Sequence, residues 1–169
     1  QEPNPVPGRH ETIFPMFEFE AHGGMEVLRE LEIELLTYMG FGSKEDFAFT
    51  SYDDASSFYK TKEIDHAEEK AMQKDFAPIT FLEEFPISTS PFWNMKKKNA
   101  THSHKIDVIM YGQETIGSAE RSTDKDEMRH EFLTISDGKY AQKLFDLFGK
   151  ERVEKELDEY LSFDFFPRC

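Results

Sequence analysis

Cysteine is nearly absent: the one thiol among 169 residues is Cys169, at the last position. An internal disulfide framework is therefore excluded, which fits a reducing compartment. No apolar run approaches the length of a membrane span, and the first residues lack a basic-then-apolar signal pattern. A cytoplasmic protein with no membrane partner is the expectation. Basic residues are also scarce, 20 Lys and Arg against 34 Asp and Glu, for a net charge of −14. A surface that grips nucleic acid by its phosphates carries a basic field, so most of this one repels it. The only basic run, Lys96-Lys97-Lys98, reads as a solvated loop. A glycine-rich phosphate loop of the Rossmann or Walker type is missing as well, so a bound nucleotide must be held by other means.

What is present is aromatic. Phe, Trp and Tyr make up 14% of the chain, with 17 Phe, enough apolar material for one domain with a core despite 32% charged residues. Residues 1–12, with Pro3, Pro5, Pro7 and Gly8, read as an extended loop. From Phe14 to Ala21 the residues alternate, with Phe14, Met16, Glu18 and Glu20 on one side, which predicts a strand. Gly23-Gly24 opens a helix to about Met39, with Val27, Leu28, Leu31 and Leu35 as its apolar positions, ended by Gly40-Phe41-Gly42. Ser51-Tyr52-Asp53-Asp54 is a capping signature for a short helix, and a polar helix follows over Asp65 to Lys74. Ile79-Thr80-Phe81-Leu82 predicts a buried strand ending near Pro86, and Phe92-Trp93-Asn94-Met95 another. Beyond Asp124 two amphipathic stripes, Tyr140/Leu144/Leu147/Phe148 and Val153/Leu157/Tyr160/Leu161, predict helices. Strands joined by helices of unequal length around a central hairpin indicate an α+β fold, an antiparallel β-sheet flanked by helices.

The chemistry concentrates at that hairpin. Asp107 lies within the apolar run Ile106-Asp107-Val108-Ile109, a turn falls at Gly112-Gln113, Glu114 follows seven residues after Asp107, and Arg121 after the same interval. A hairpin of this kind brings two carboxylates near enough to share a hard cation, with a guanidinium to receive an anion. The ordinary alternative is a solvated acid pair with Arg121 in a surface ion pair to Glu120 or Asp124, which contributes little. Phe14, on the same strand side as Glu18 and Glu20, suits stacking on a purine, and Arg9 and His10 suit phosphate oxygens.

In order along the chain, these residues resemble a known family. Gln1-Glu2, then Arg9-His10, Phe14, Met16, Glu18 and Glu20, is similar to motif 2 of the class II aminoacyl-tRNA synthetases of the aspartyl/asparaginyl branch. Asp107, Glu114, Gly117 and Arg121 resemble that branch's Asp…Glu-x-x-Gly-Gly-Ser-x-Arg stretch, and Pro86…Pro91-Phe92-Trp93-Asn94-Met95-Lys96 its Pro…Pro-Phe-Tyr-Met-Lys segment. The resemblance implies a partial class II catalytic core over residues 1–169 as a single domain. It implies ATP contacts by Glu2, Arg9, His10 and Phe14, Mg²⁺ held by Asp107 and Glu114, and substrate contacts by Glu18, Gly117 and Arg121. An arginine at 121 implies aspartate or asparagine, and Glu18 leans towards asparagine.

Departures from the family's pattern are equally specific. The chain starts just after the expected motif 2 arginine and stops before the glycine-rich motif 3, as if truncated at both ends. Motif 1 and an anticodon-binding barrel are not in it, and Ser118-Ala119 replaces the usual Gly-Ser. The implied reaction is ATP-dependent adenylation of aspartate or asparagine, in a complete protein that is a homodimer. With a charge of −14 and no tRNA-binding module, an asparagine synthetase-like ammonia ligase is favoured. A tRNA ligase and a non-catalytic synthetase-like module are the alternatives, and without the two end arginines the chain alone is expected to be inactive.

Overall fold

The computed structural model describes residues 13–89 and 91–169. Four strands, β1 (Ala48–Ser51), β2 (Ile79–Pro86), β3 (His102–Met110) and β4 (Gln113–Ala119), form one sheet in the order β1-β2-β3-β4. The pairs β2–β3 and β3–β4 are antiparallel, as expected, but β1 joins β2 in parallel, so the sheet is mixed. The parallel pair follows from chain order: a crossover through α2 (Tyr52–Tyr59) and α3 (His66–Asp75) separates β1 from β2.

The predicted starts of α2 and α3 are explained by their caps. The Ser51 hydroxyl accepts from the Asp54 amide at 3.1 Å at the head of α2, and Asp65 and Glu68 form a reciprocal capping box on α3. The helix α1 (Met25–Tyr38) ends before Gly40, whose φ of +86° suits glycine.

Register divides the sheet into two faces. Leu82, Asp107 and Gly117 are cross-strand partners on one; Phe81, Val108 and Ile116 are partners on the other. On the second face Phe81, Ile106 and Val108 pack with Leu28, Ile33 and Leu36 of α1. The buried stripe of α1 therefore runs through Leu28, Glu32, Ile33 and Leu36, while Val27 of the predicted stripe is exposed. On the first face Leu82, Phe85 and Ile109 pack with Tyr52 and Ala55 of α2 and Met72 of α3. A third core joins α4 (Lys125–Thr134), α5 (Lys139–Phe148) and α6 (Lys150–Ser162), with Trp93 set edge-on against Phe132 and Tyr160. Apolar burial of this kind contributes roughly 25 cal/mol per Å² and is the main force holding the layers together.

Two predicted strands are not strands. Residues 13–20 are exposed and in no strand. Just beyond them the chain meets the fold where Ala21 and Gly23 form backbone hydrogen bonds with Cys169 and Pro167 and the His22 ring stacks on Phe166. Alternation makes a segment fit for a ladder, but no described strand lies alongside to complete one. Phe92–Met95 is a turn, with the Met95 amide donating to the Phe92 carbonyl at 2.9 Å, because Trp93 is drawn into the helical core instead of the sheet. The hairpin turn is Tyr111-Gly112, one residue earlier than expected, with φ of 52° and 84° at the two positions, as a twisted two-residue hairpin turn requires.

Candidate active site

Asp107 is 5% exposed, flanked by Ile106 and Val108, which are 0% exposed. An acid so placed needs a partner. Its partner is Lys105, two residues earlier and so on the same strand face: the Lys105 Nζ is 2.5 Å from Asp107 Oδ2. The same ammonium sits 3.9 Å from the centre of the Phe85 ring, a cation–π placement that fixes the lysine stem along the cavity wall. Asp107 Oδ1 is buried and has no hydrogen-bond partner among the described residues. Burial pushes the Asp107 carboxyl up to about 7; Lys105 opposes this, and the negative charges of Glu114 and Glu69 add to it.

Glu114 sits in register with Ile109, just past an irregularity in the β3–β4 ladder that places it on the same face as Asp107. Gly117, directly opposite Asp107, leaves the space between the two acids open. A Cβ at position 117 would stand 2.9 Å from Glu114 Oε1 and 3.6 Å from Asp107 Oδ1. The two carboxylates thus meet around one glycine, at the wall of a cavity of about 510 Å³ lined also by Lys105, Phe85, Glu69 and Tyr140. Among the described residues no group of three or more His, Cys, Asp or Glu is arranged to hold a metal. Two hard-oxygen acids with one buried, unpartnered oxygen fit Mg²⁺ of the kind that takes one or two protein carboxylates and completes its shell with phosphates and water.

Arg121 does not line this cavity. It lies beyond the end of β4, where its amide donates to the Arg168 carbonyl at 2.9 Å and its Nη1 donates to Asn94 Oδ1 at 3.2 Å. Burial pushes its guanidinium down from the usual value, with the charge of Glu20 acting in the opposite sense. Neither predicted ion-pair partner is available to it. Glu120 is turned the other way, accepting from Lys96 Nζ at 2.6 Å and from the Met25 amide at 3.2 Å, and standing 3.4 Å from His104 Nδ1. Asp124 accepts from the amides of Asp126 and Glu127 at the head of α4.

The structure therefore brings Asp107, Glu114 and Gly117 together and sets Arg121 further along. Phe14 and Glu18 are on the exposed stretch and do not line the cavity. Glu2, Arg9 and His10 lie outside the described residues. Sequence reasoning passed over Lys105, although its i, i−2 relation to Asp107 on a strand was a readable signal. It named Glu20 on the strand side of Glu18 without linking it to Arg121, on which its charge acts, and it passed over Phe85, which only cross-strand register delivers.

A model of the class II tRNA synthetases (D, K and N) matches residues 13–161. Aspartate–tRNA(Asp) ligase of Pyrobaculum aerophilum is 35% identical over 63 residues, 37% of this chain and 14% of that protein. Among solved structures, aspartyl-tRNA synthetase from Entamoeba histolytica superposes with a TM-score of 0.52 at 18% identity, over 72% of this chain and 26% of that one. Asparaginyl-tRNA synthetase from Pyrococcus horikoshii complexed with asparaginyl-adenylate gives 0.55 at 21% identity, over 84% and 33%. The chain spans a third or less of the length of these relatives.

Proposed function

The chain belongs to the class II tRNA synthetases (D, K and N), and we propose that it carries the magnesium-binding and side-chain-recognition part of a site that adenylates aspartate or asparagine with ATP. The observation that carries this reading is the meeting of Asp107 and Glu114 around Gly117 on the sheet face that continues towards Arg121. Asp107 and Glu114 would hold Mg²⁺, which neutralises charge on the polyphosphate when bound. Arg121 receives the substrate's side-chain carboxylate or carboxamide, a role suited to a partly buried guanidinium already oriented by Asn94. The remaining contribution is positioning: the substrate carboxylate is held in line with the α-phosphate. Glu2, Arg9, His10 and Phe14 supply the ATP contacts in this reading, and Glu18 with Gly117 borders the amino-acid pocket.

For the acceptor, the relatives, a tRNA ligase and a tRNA synthetase, favour tRNA. Ammonia is the second reading, favoured by the net charge of −14. A non-hydrolysable aspartyl- or asparaginyl-adenylate mimic, titrated calorimetrically into the protein, tests the proposal. Binding should weaken roughly 10- to 100-fold in Asp107→Asn and in Arg121→Met, the loss expected for one charge-assisted contact of about 1.5–3 kcal/mol. Equal affinity in wild type and both variants overturns it.

A further inference from the structure

The Asp107–Glu114 pair already holds a cation of its own. Lys105 Nζ is bound to Asp107 Oδ2 at 2.5 Å, while Oδ1 of the same carboxylate is buried without a partner among the described residues. A divalent ion seated between Asp107 Oδ1 and Glu114 would stand one carboxylate away from that ammonium. Like charges at this separation, in a site bordered by the buried Ile109 and Leu82, repel strongly. Among the described residues the ammonium's hydrogen bond and ion pair is the one to Asp107, so its release breaks no other. Its stem lies against Phe85, its side chain is 21% exposed, and it lines the same cavity as both acids. That cavity, at about 510 Å³, falls in the size range of small-molecule sites.

We infer that Lys105 is an exchange cation. Its ammonium satisfies Asp107 when the site is empty of anions and keeps a free divalent ion out of the acid pair. It passes to a phosphate oxygen when the divalent ion arrives as a metal–polyphosphate complex. The site then admits the metal together with the anion and not before it. No covalent step is involved: one N–H···O⁻ contact is exchanged for another, and the charge brought by the divalent ion is matched by the polyphosphate. The inference rests on the reading of Asp107 and Glu114 as metal ligands, but Lys105 is a binding residue assigned from geometry alone.

The test uses Mn²⁺ as the probe, read by electron paramagnetic resonance, with and without β,γ-imido-ATP. Lys105→Met should bind free Mn²⁺ at least tenfold more tightly than wild type, and Lys105→Arg should bind it as weakly as wild type. With the nucleotide present the order should invert, Lys105→Met holding the ternary complex less well. Asp107→Asn should abolish the free-metal signal in either background. Lys105→Gln, which keeps a hydrogen-bond donor near Asp107 without the charge, serves if Lys105→Met does not fold. Free Mn²⁺ bound no more tightly by the uncharged variants overturns the inference, as does a free-metal signal that survives Asp107→Asn. Failure of wild type to bind the nucleotide at all would instead count against the adenylation reading, and the metal arm would still judge Lys105.

Discussion

Glu32 is the residue least expected where it is. It lies at 0% exposure on the inner face of α1, and neither carboxylate oxygen has a hydrogen-bond partner among the described residues. Burial pushes its carboxyl from 4.5 up to about 7; the Ser118 hydroxyl opposes this, and the charges of Glu83 and Asp107 add to it. Glu83 itself is held bidentately by Arg29, so that guanidinium is already engaged. Between about pH 4.5 and about 7 the folded state keeps a proton on Glu32 that the unfolded chain releases. Its contribution to stability is therefore full below the lower value and is lost as pH rises through the higher one. Glu32→Gln should match wild type near pH 4 and exceed it above pH 7 by on the order of 2–3 kcal/mol, in urea unfolding read at both pH values. A stability difference that does not grow with pH would show that Glu32 is charged and satisfied in the folded state.

At the level of the element, the hairpin carries the site and one glycine sets its shape. Gly112 has φ of +84°, and a Cβ there would lie 2.8 Å from the Lys70 Cα and 3.3 Å from the Lys70 carbonyl oxygen on α3. Both atoms are backbone, so relief requires moving the helix or the turn. Gly112→Ala should lower stability by about 1–3 kcal/mol in a denaturant titration, from backbone strain and displacement of α3. Tyr111, also at positive φ, shows that the turn type is imposed by the pairing of β3 with β4 and not by its first residue's preference. The same distinction separates the legible elements from the illegible ones. Helices announced themselves through Ser51, Asp65 and the 3.6-residue spacing of α6, since caps and spacing act within one segment. The strands expected at Phe14–Ala21 and Phe92–Met95 failed because a strand exists only with a neighbour, and alternation carries no information about one. The apolar stripe of α1 misled for a related reason. Leu31 and Leu35 were as good as Leu28 and Leu36 by spacing, and the choice between faces was made by the sheet.

Across the whole molecule the net charge of −14 dominates. Self-repulsion of that size opposes compaction, and salt screens it: the Debye length falls from about 30 Å at 0.01 M to about 8 Å at 0.15 M. The thermal midpoint should therefore rise by a few degrees over that range of NaCl, measured by circular dichroism at neutral pH. A falling midpoint would mean that ion pairs such as Lys97–Glu131 and Arg129–Asp158 outweigh the repulsion. The acid excess is also organised. Lys96, His104 and the head of α1 converge on Glu120, so a buried acid ties the helix to the sheet beside Arg121.

The amino-acid sequence by itself determined the α+β order of elements, the helix boundaries, and the hairpin that puts Asp107 and Glu114 on either side of one turn. All three follow from periods of 2 and 3.6 residues and from local caps and turns, which a linear chain carries within a few residues. The ladder irregularity that brings Glu114 onto the face of Asp107 and Gly117 belongs instead to the pairing of the strands. Only the tertiary structure decided which cation Asp107 meets, which carboxylate acts on Arg121, and that Glu32 lies in the core. Those outcomes depend on register between strands and on which helix face the sheet covers, and both are settled by packing between segments far apart in the chain.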